Sequence, residues 1–208
     1  MKPRRALIVI DVQNEYVTGN LPIEHPPVEV SLPNIARAID AAHAAGIPVV
    51  VVQHTAPKGA PVFDKGTPGW ELHPEIARRA HDYLFEKSMA SSFAGTGLAE
   101  WLASNRIDTI TLAGFMTHNC DAATVYHAAH AGLSVEVLSD ATGSLPYENR
   151  AGAATAEEIH RVFSVVFQSN FAAVLGTAEW IESVTAGRPP ERDNVFASNQ
   201  KARRTRLG

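Results

Sequence analysis

A single cysteine in 208 residues leaves Cys120 without an intrachain partner and rules out a scaffold built on disulfides. No apolar run approaches the ~20 residues needed to span a bilayer. The opening M-K-P-R-R-A-L-I-V-I has the basic start of an export signal, but its apolar part stops at Asp11, too early for a signal core. Strong charge of either sign is also missing. The formal net charge is −4 and the pI is near 6.1, which argues against a dedicated nucleic-acid binder. Internal repeats and low-complexity segments do not stand out. What remains is a chain with 45% hydrophobic residues, long enough for one domain with a full-sized core. The expected setting is a reducing one, the cytoplasm.

Short apolar runs alternate with helical patterns along the whole length. Residues 6–10 and 48–53 are continuous β-branched runs, as expected of strands buried on both faces of a parallel sheet. Residues 83–86, 107–113, 134–138 and 164–167 read as four further strands. Helices are predicted from Ser31 to Gly46, around Leu98–Leu102, over 122–131, over 148–162 and over 177–184, with a short helical turn at 75–80. Residues 18–30 are rich in glycine and proline and read as a loop. This alternation predicts a three-layer α/β/α sandwich around a mainly parallel six-stranded sheet, a Rossmann-like arrangement. The domain is expected to occupy residues 1–186. The tail, 187–208, holds six Lys and Arg against two Asp and Glu, and reads as flexible or wrapped on a neighbouring subunit.

Segment 55–74 is a long loop, and loops of that length are usually lids or binding loops. Phe63 and Trp70 speak for an ordered one. Trp70 either lines a pocket or anchors the loop to the body. His54, Asp64 and His73 are metal-ligand types, but their spacing matches no short ligand motif. No metal or other cofactor is expected.

Three reactive groups lie at or just beyond strand ends: Asp11 after 6–10, Lys87 after 83–86, and Cys120 after the strand that ends in Gly114. In a parallel sheet these positions share the carboxyl edge, where open α/β folds bind ligands. Cys120 also opens a helical pattern, so first-turn N–H groups favour a negative sulfur. A thiol, a carboxylate and an ammonium suffice for covalent hydrolysis. The ammonium favours the thiolate, and the carboxylate accepts and returns the proton.

The stretches D-V-Q-N at Asp11, K-S-M-A-S-S-F at Lys87 and G-F-M-T-H-N-C ending in Cys120 resemble those of the isochorismatase-like cysteine hydrolases, over residues 5 to 180. The resemblance implies an Asp11–Lys87–Cys120 triad and a non-proline cis peptide between Phe115 and Met116. It also implies an oxyanion hole formed by the Met116 and Cys120 N–H groups. The implied reaction cleaves a C–N bond of a small amide, lactam or ureido compound through a thioester. True isochorismatases, which cleave a vinyl ether, lack a cysteine at this position. Nicotinamidases carry an Asp and several His after the second strand to hold a metal, and H-T-A-P-K-G-A-P-V-F-D lacks that pattern.

Two alternatives stay open. One is a vinyl-ether hydrolase that uses Asp11 as an acid. The other is a non-hydrolytic small-molecule-binding or redox-sensing protein. Gln13, Phe63, Trp70 and Phe115 are expected to touch a small-molecule substrate. Nucleic acid and membrane are not expected as partners, and a homodimer or homotetramer is the assembly the resemblance implies.

Overall fold

The computed structural model describes residues 2–206. Met1, Leu207 and Gly208, the outer ends of the two predicted units, lie outside the described residues. Six parallel strands form the central sheet: β1 (Arg5–Ile10), β2 (Val49–His54), β3 (Tyr83–Lys87), β4 (Thr109–Phe115), β5 (Ser134–Gly143) and, after a two-strand excursion, β8 (Ala173–Leu175). Their order is β3-β2-β1-β4-β5-β8, with every neighbouring pair parallel. The chain starts in the middle of the sheet, winds out to one edge and returns to fill the other. The carboxyl ends of β1 and β4 are therefore adjacent.

Alternation along β1 assigns its side chains to two layers. Leu7 and Val9 pack with Ile35, Ile39 and Ala42 of α1 (Val28–Ala44) and with Trp180 of α6 (Thr177–Ala186). Ala6, Ile8 and Ile10 pack on the opposite face. Their partners include Leu98 and Leu102 of α3 (Leu98–Ser104), and Val125 and Ala128 of α4 (Ala122–His130). Every residue of β1 is buried, which is why its sequence is continuously apolar after Arg5. Each fully buried Leu, Ile or Val contributes about 1.5–3 kcal/mol relative to exposure. Arg5 itself is paired with Glu136 at 2.8 Å, and that carboxylate also accepts from Thr111 and the Trp180 indole. This network lies toward the amino ends of the strands, away from the carboxyl edge.

Several predicted boundaries move. Residues 164–167 are not a strand. Ser164–Val166 close α5 (Ala156–Val166), and a π-helical turn (Phe167–Phe171) follows. The β-branched S-V-V belongs to a helix whose Val162, Val165 and Val166 face outward. The sixth sheet strand is instead β8. The predicted helix over 148–162 starts late, because β6 (Tyr147–Asn149) and β7 (Gly152–Ala154) first form a small antiparallel hairpin. Thr155 then caps α5 in a reciprocal pair with Glu158. α1 begins at Val28, three residues before Ser31, and carries Pro33 inside its second turn at the loss of one intrahelical N–H bond. The turn at 75–80 is a short helix, α2 (Pro74–Ala77). Part of the tail forms α7 (Val195–Arg206). Among the described residues no helix is long and apolar enough to cross a membrane.

One position holds β1 and β4 at the separation that the carboxyl edge requires. Gly114 has φ +120°, and a Cβ there would overlap the Ile10 carbonyl oxygen. Gly114 pairs with Ile10 in the ladder, one residue before Asp11. The obstruction is backbone, so no side chain can yield. Gly114→Ala is expected to destabilise the fold by about 3 kcal/mol or more, through overlap and a disfavoured φ. That corresponds to a fall in Tm on the order of 10 °C for a chain of this size, read by thermal denaturation.

Candidate active site

The ends of three strands deliver three side chains to one buried point. Asp11 leaves β1 in the left-handed region (φ +51°), which Asp tolerates better than most residues. Lys87 is the last residue of β3. Cys120 sits in a π-helical turn (Thr117–Asp121) between β4 and α4. The Lys87 ammonium is 2.7 Å from Asp11 Oδ2 and 3.2 Å from Cys120 Sγ. All three residues are buried, Asp11 completely. The Asp11 contact is one of charge at an angle off the hydrogen-bonding direction. Neither Asp11 oxygen accepts a directed hydrogen bond among the described residues. Its lone pairs thus remain open to a proton.

The electrostatics correct one expectation. Burial pushes the Cys120 thiol well above its ordinary value and the Asp11 charge pushes it further, while Lys87 opposes both. The balance favours a neutral thiol at rest, because burying a lone negative sulfur outweighs the ammonium and the helix turn. Lys87 stays charged. Burial disfavours its ammonium, but Asp11 and Cys120 raise its pKa overall.

At the junction of β4 with this turn, the Phe115–Met116 peptide is cis. The Met116 carbonyl accepts from the N–H groups of Asn119 and Asp121. Phe115 is fully buried, edge-on to Tyr16 at 5.7 Å, and Tyr16 meets Phe63 at 5.1 Å. The three rings form one buried aromatic cluster. The burial of Tyr16 and the negative charges of Cys120, Asp11 and Asp121 push its phenol well up.

The predicted substrate contacts divide. Gln13 is fully buried, and its amide is spent on backbone. It donates to the carbonyls of His54 and Trp70 at 3.0 and 2.7 Å and accepts from the His54 N–H at 2.9 Å. In this structure the amide expected to touch substrate ties loop 55–74 to the sheet edge. The Trp70 indole N–H donates to Thr55 Oγ1 at 2.8 Å, and Gln53 donates to the Trp70 carbonyl at 2.8 Å, so Trp70 anchors the loop. Phe63 is buried against Tyr16 and the His54 ring.

His54, Asp64 and His73 are not gathered. The His54 ring faces Lys87, Asp64 accepts from the Gly59 N–H, and His73 caps α2 through the Glu75 N–H. Concavities of about 600 and 650 Å³ open elsewhere, one along α1 and one between α5 and α7. Neither is lined by Asp11, Lys87 or Cys120.

Sequence reasoning missed four groups. Tyr16 comes over the cluster on a 3₁₀ turn (Asn14–Tyr16). His118 contacts Ser144 Oγ at 3.1 Å, and His160 contacts Thr117 Oγ1 at 3.0 Å. Burial lowers both imidazoles to about 4, so they stay neutral. The fourth is Asp121, adjacent to Cys120 and fully buried, with neither oxygen partnered among the described residues. Burial and the Asp11 charge raise it to about 8 against the pull of Lys87. A carboxyl in the middle of an otherwise apolar helix start, N-C-D-A-A, was the only available signal.

Known proteins place this geometry in context. The profile of the isochorismatase domain matches residues 5–179. A crystal structure from Burkholderia xenovorans LB400, provisionally named an isochorismatase, is 64% identical. It covers 100% of both chains with a TM-score of 0.99. A secreted isochorismatase effector of Verticillium dahliae is 37% identical over 137 residues, 66% of this chain and 71% of that protein. N-carbamoylsarcosine amidase of an Arthrobacter species is 32% identical over 148 residues, 62% of this chain and 55% of that one.

The Asp121 environment has a measurable consequence. Its folded pKa stands above the unfolded value near 3.9, so the native state holds a proton that the unfolded state has lost. Stability therefore falls as pH rises from about 4 toward about 8. Asp121→Asn removes this loss. The variant is expected to match wild type near pH 4 and to exceed it by roughly 1–3 kcal/mol at pH 8, read by urea denaturation at both values.

Proposed function

The chain belongs to the isochorismatase family, and from that premise we propose that it is a cysteine hydrolase. It cleaves a C–N bond of a small amide, lactam or ureido compound. The observation that carries this reading is the placement of Lys87 within 2.7 Å of Asp11 and 3.2 Å of Cys120 in one buried cluster. The Arthrobacter relative, an amidase, supports the C–N class.

On this reading the reaction runs in the following order. The thiol rests protonated, so attack requires simultaneous loss of its proton, and the open lone pairs of Asp11 are the acceptor. The thiolate adds to the carbonyl carbon while Lys87 stabilises the developing charge. The carbonyl oxygen becomes an oxyanion held by the Met116 and Cys120 N–H groups. Collapse of this adduct expels ammonia or an amine, which takes the proton from Asp11, and leaves a thioester on Cys120. Asp11 then draws a proton from water, which adds to the thioester carbonyl. The product acid departs, and the proton returns to the sulfur. Phe63, Phe115 and Tyr16 supply an apolar, water-poor wall, which strengthens each of these electrostatic terms.

A second reading has one observation in its favour, the Verticillium relative named as an isochorismatase effector. In that chemistry Asp11 protonates a vinyl ether and Cys120 is a bystander. Ammonia release from a panel of aliphatic amides, nicotinamide, ureido compounds and lactams separates the two, run with and without chelator. Cys120→Ala is expected to lose at least about 10³-fold of that release while melting at the wild-type temperature. Full activity in the variant would overturn the thiol mechanism. Release that is absent in wild type, with vinyl-ether cleavage intact in Cys120→Ala, would establish the second reading.

A further inference from the structure

An ammonium has three N–H donors and no acceptor. Around Lys87 three acceptors stand in hydrogen-bonding directions: Met89 O at 3.2 Å, Cys120 Sγ at 3.2 Å and His54 Nδ1 at 3.4 Å. Asp11 Oδ2 is nearer, at 2.7 Å, but off those directions. Charge attraction alone would turn an N–H toward Asp11. The ammonium is thus shared among four acceptors, and the three besides Asp11 keep it from settling on the carboxylate alone.

Two of these acceptors are set by the chain or by the nucleophile. His54 is the one that is neither. It pairs with Lys87 in the β2–β3 ladder, so the two side chains leave neighbouring strands together. Its backbone N–H and carbonyl are both clamped by the Gln13 amide. Its ring stands edge-on to Phe63 at 5.2 Å, with 83° between the planes. An imidazole held this way next to an ammonium accepts only if Nδ1 is bare, which puts the proton on Nε2. The charged groups that face it are Lys87 from β3 and Asp11 after β1. Glu86, also on β3, is turned to Lys65 and Thr55. Burial and the Lys87 charge lower the imidazole, with Asp11 opposing, in keeping with a neutral ring.

We infer that His54 is a positioning residue whose neutral Nδ1 accepts from Lys87 and holds the ammonium against the Cys120 sulfur as well as against Asp11. Its kinetic consequence rests on the cysteine-hydrolase reading, but its effect on the thiol does not. Without His54 the ammonium turns toward Asp11. The sulfur loses its cation contact.

The test uses iodoacetamide as the probe, so it needs no substrate. Alkylation of Cys120 is followed from pH 7 to 10 in wild type, His54→Leu and His54→Gln, with Cys120→Ala as the blank. Loss of one hydrogen bond to a charged group is expected to slow His54→Leu on the order of tenfold at a given pH. His54→Gln keeps a neutral acceptor and is expected to stay within about threefold of wild type. ¹⁵N spectra of wild-type His54 at pH 7 are expected to show a bare Nδ1 and a protonated Nε2. That measurement stands even if His54→Leu fails to fold. A protonated Nδ1, a His54→Leu rate equal to wild type, or a His54→Gln rate as slow as that of a folded His54→Leu would each overturn the inference. A wild-type protein inert toward every amide would defeat the hydrolase reading alone and leave both readouts unchanged.

Discussion

The charge contact between Lys87 and Asp11 constrains the rest of the structure around it. Both side chains are buried, and removing either partner would leave an uncompensated charge worth about 3–5 kcal/mol. Such a pair forms only where backbone geometry brings the groups together without side-chain search. Adjacent carboxyl ends of β1, β2 and β3 do this for Asp11, His54 and Lys87. The close β1–β4 approach at Gly114 then brings in the turn that carries Cys120. The left-handed backbone at Asp11 belongs to the same demand. The fold places charge where an apolar core would otherwise be, and each charge has its partner.

That placement determines the state of the sulfur. An ammonium beside a thiol usually argues for a thiolate, yet the carboxylate that balances the ammonium also repels negative sulfur, and burial adds to the effect. A neutral thiol beside a Lys87–Asp11 pair is the arrangement with the least buried net charge. The neighbouring His118, His160 and Asp121 follow the same rule, each held neutral by burial. Apart from Asp11, which Lys87 balances, these groups are uncharged at rest. Such a thiol is also a poor target for adventitious oxidation, which tracks thiolate character.

The sheet was legible because buried parallel strands are written as unbroken β-branched runs, as at Ala6–Ile10 and Val49–Val52. The reactive trio was legible for a related reason, since a polar residue that ends such a run must sit at the sheet edge. Where the reading failed, the local signal was shared between two structures. S-V-V-F at 164–167 has the composition of a strand, but the Thr155–Glu158 capping pair six to nine residues earlier commits it to a helix. The short hairpin of β6 and β7 has no alternating apolar pattern, because all but one of its six residues are exposed. The roles of Gln13 and His54 were not legible for a different reason. Whether an amide faces substrate or backbone, and whether an imidazole faces a metal or an ammonium, depends on side-chain direction, which spacing does not encode. Tyr16 and Asp121 join the site through a tight 3₁₀ turn and a π-helical turn, irregularities that periodicity arguments overlook.

The central claim is that Cys120 carries the acyl group between attack and release. Mass spectrometry of protein quenched in acid during turnover of an amide that releases ammonia tests it most directly. The account requires an acyl mass on the peptide containing Cys120, lost on treatment with neutral hydroxylamine and matched by formation of the hydroxamate. Turnover with Cys120 unmodified at every time point, and no hydroxamate formed, would contradict it.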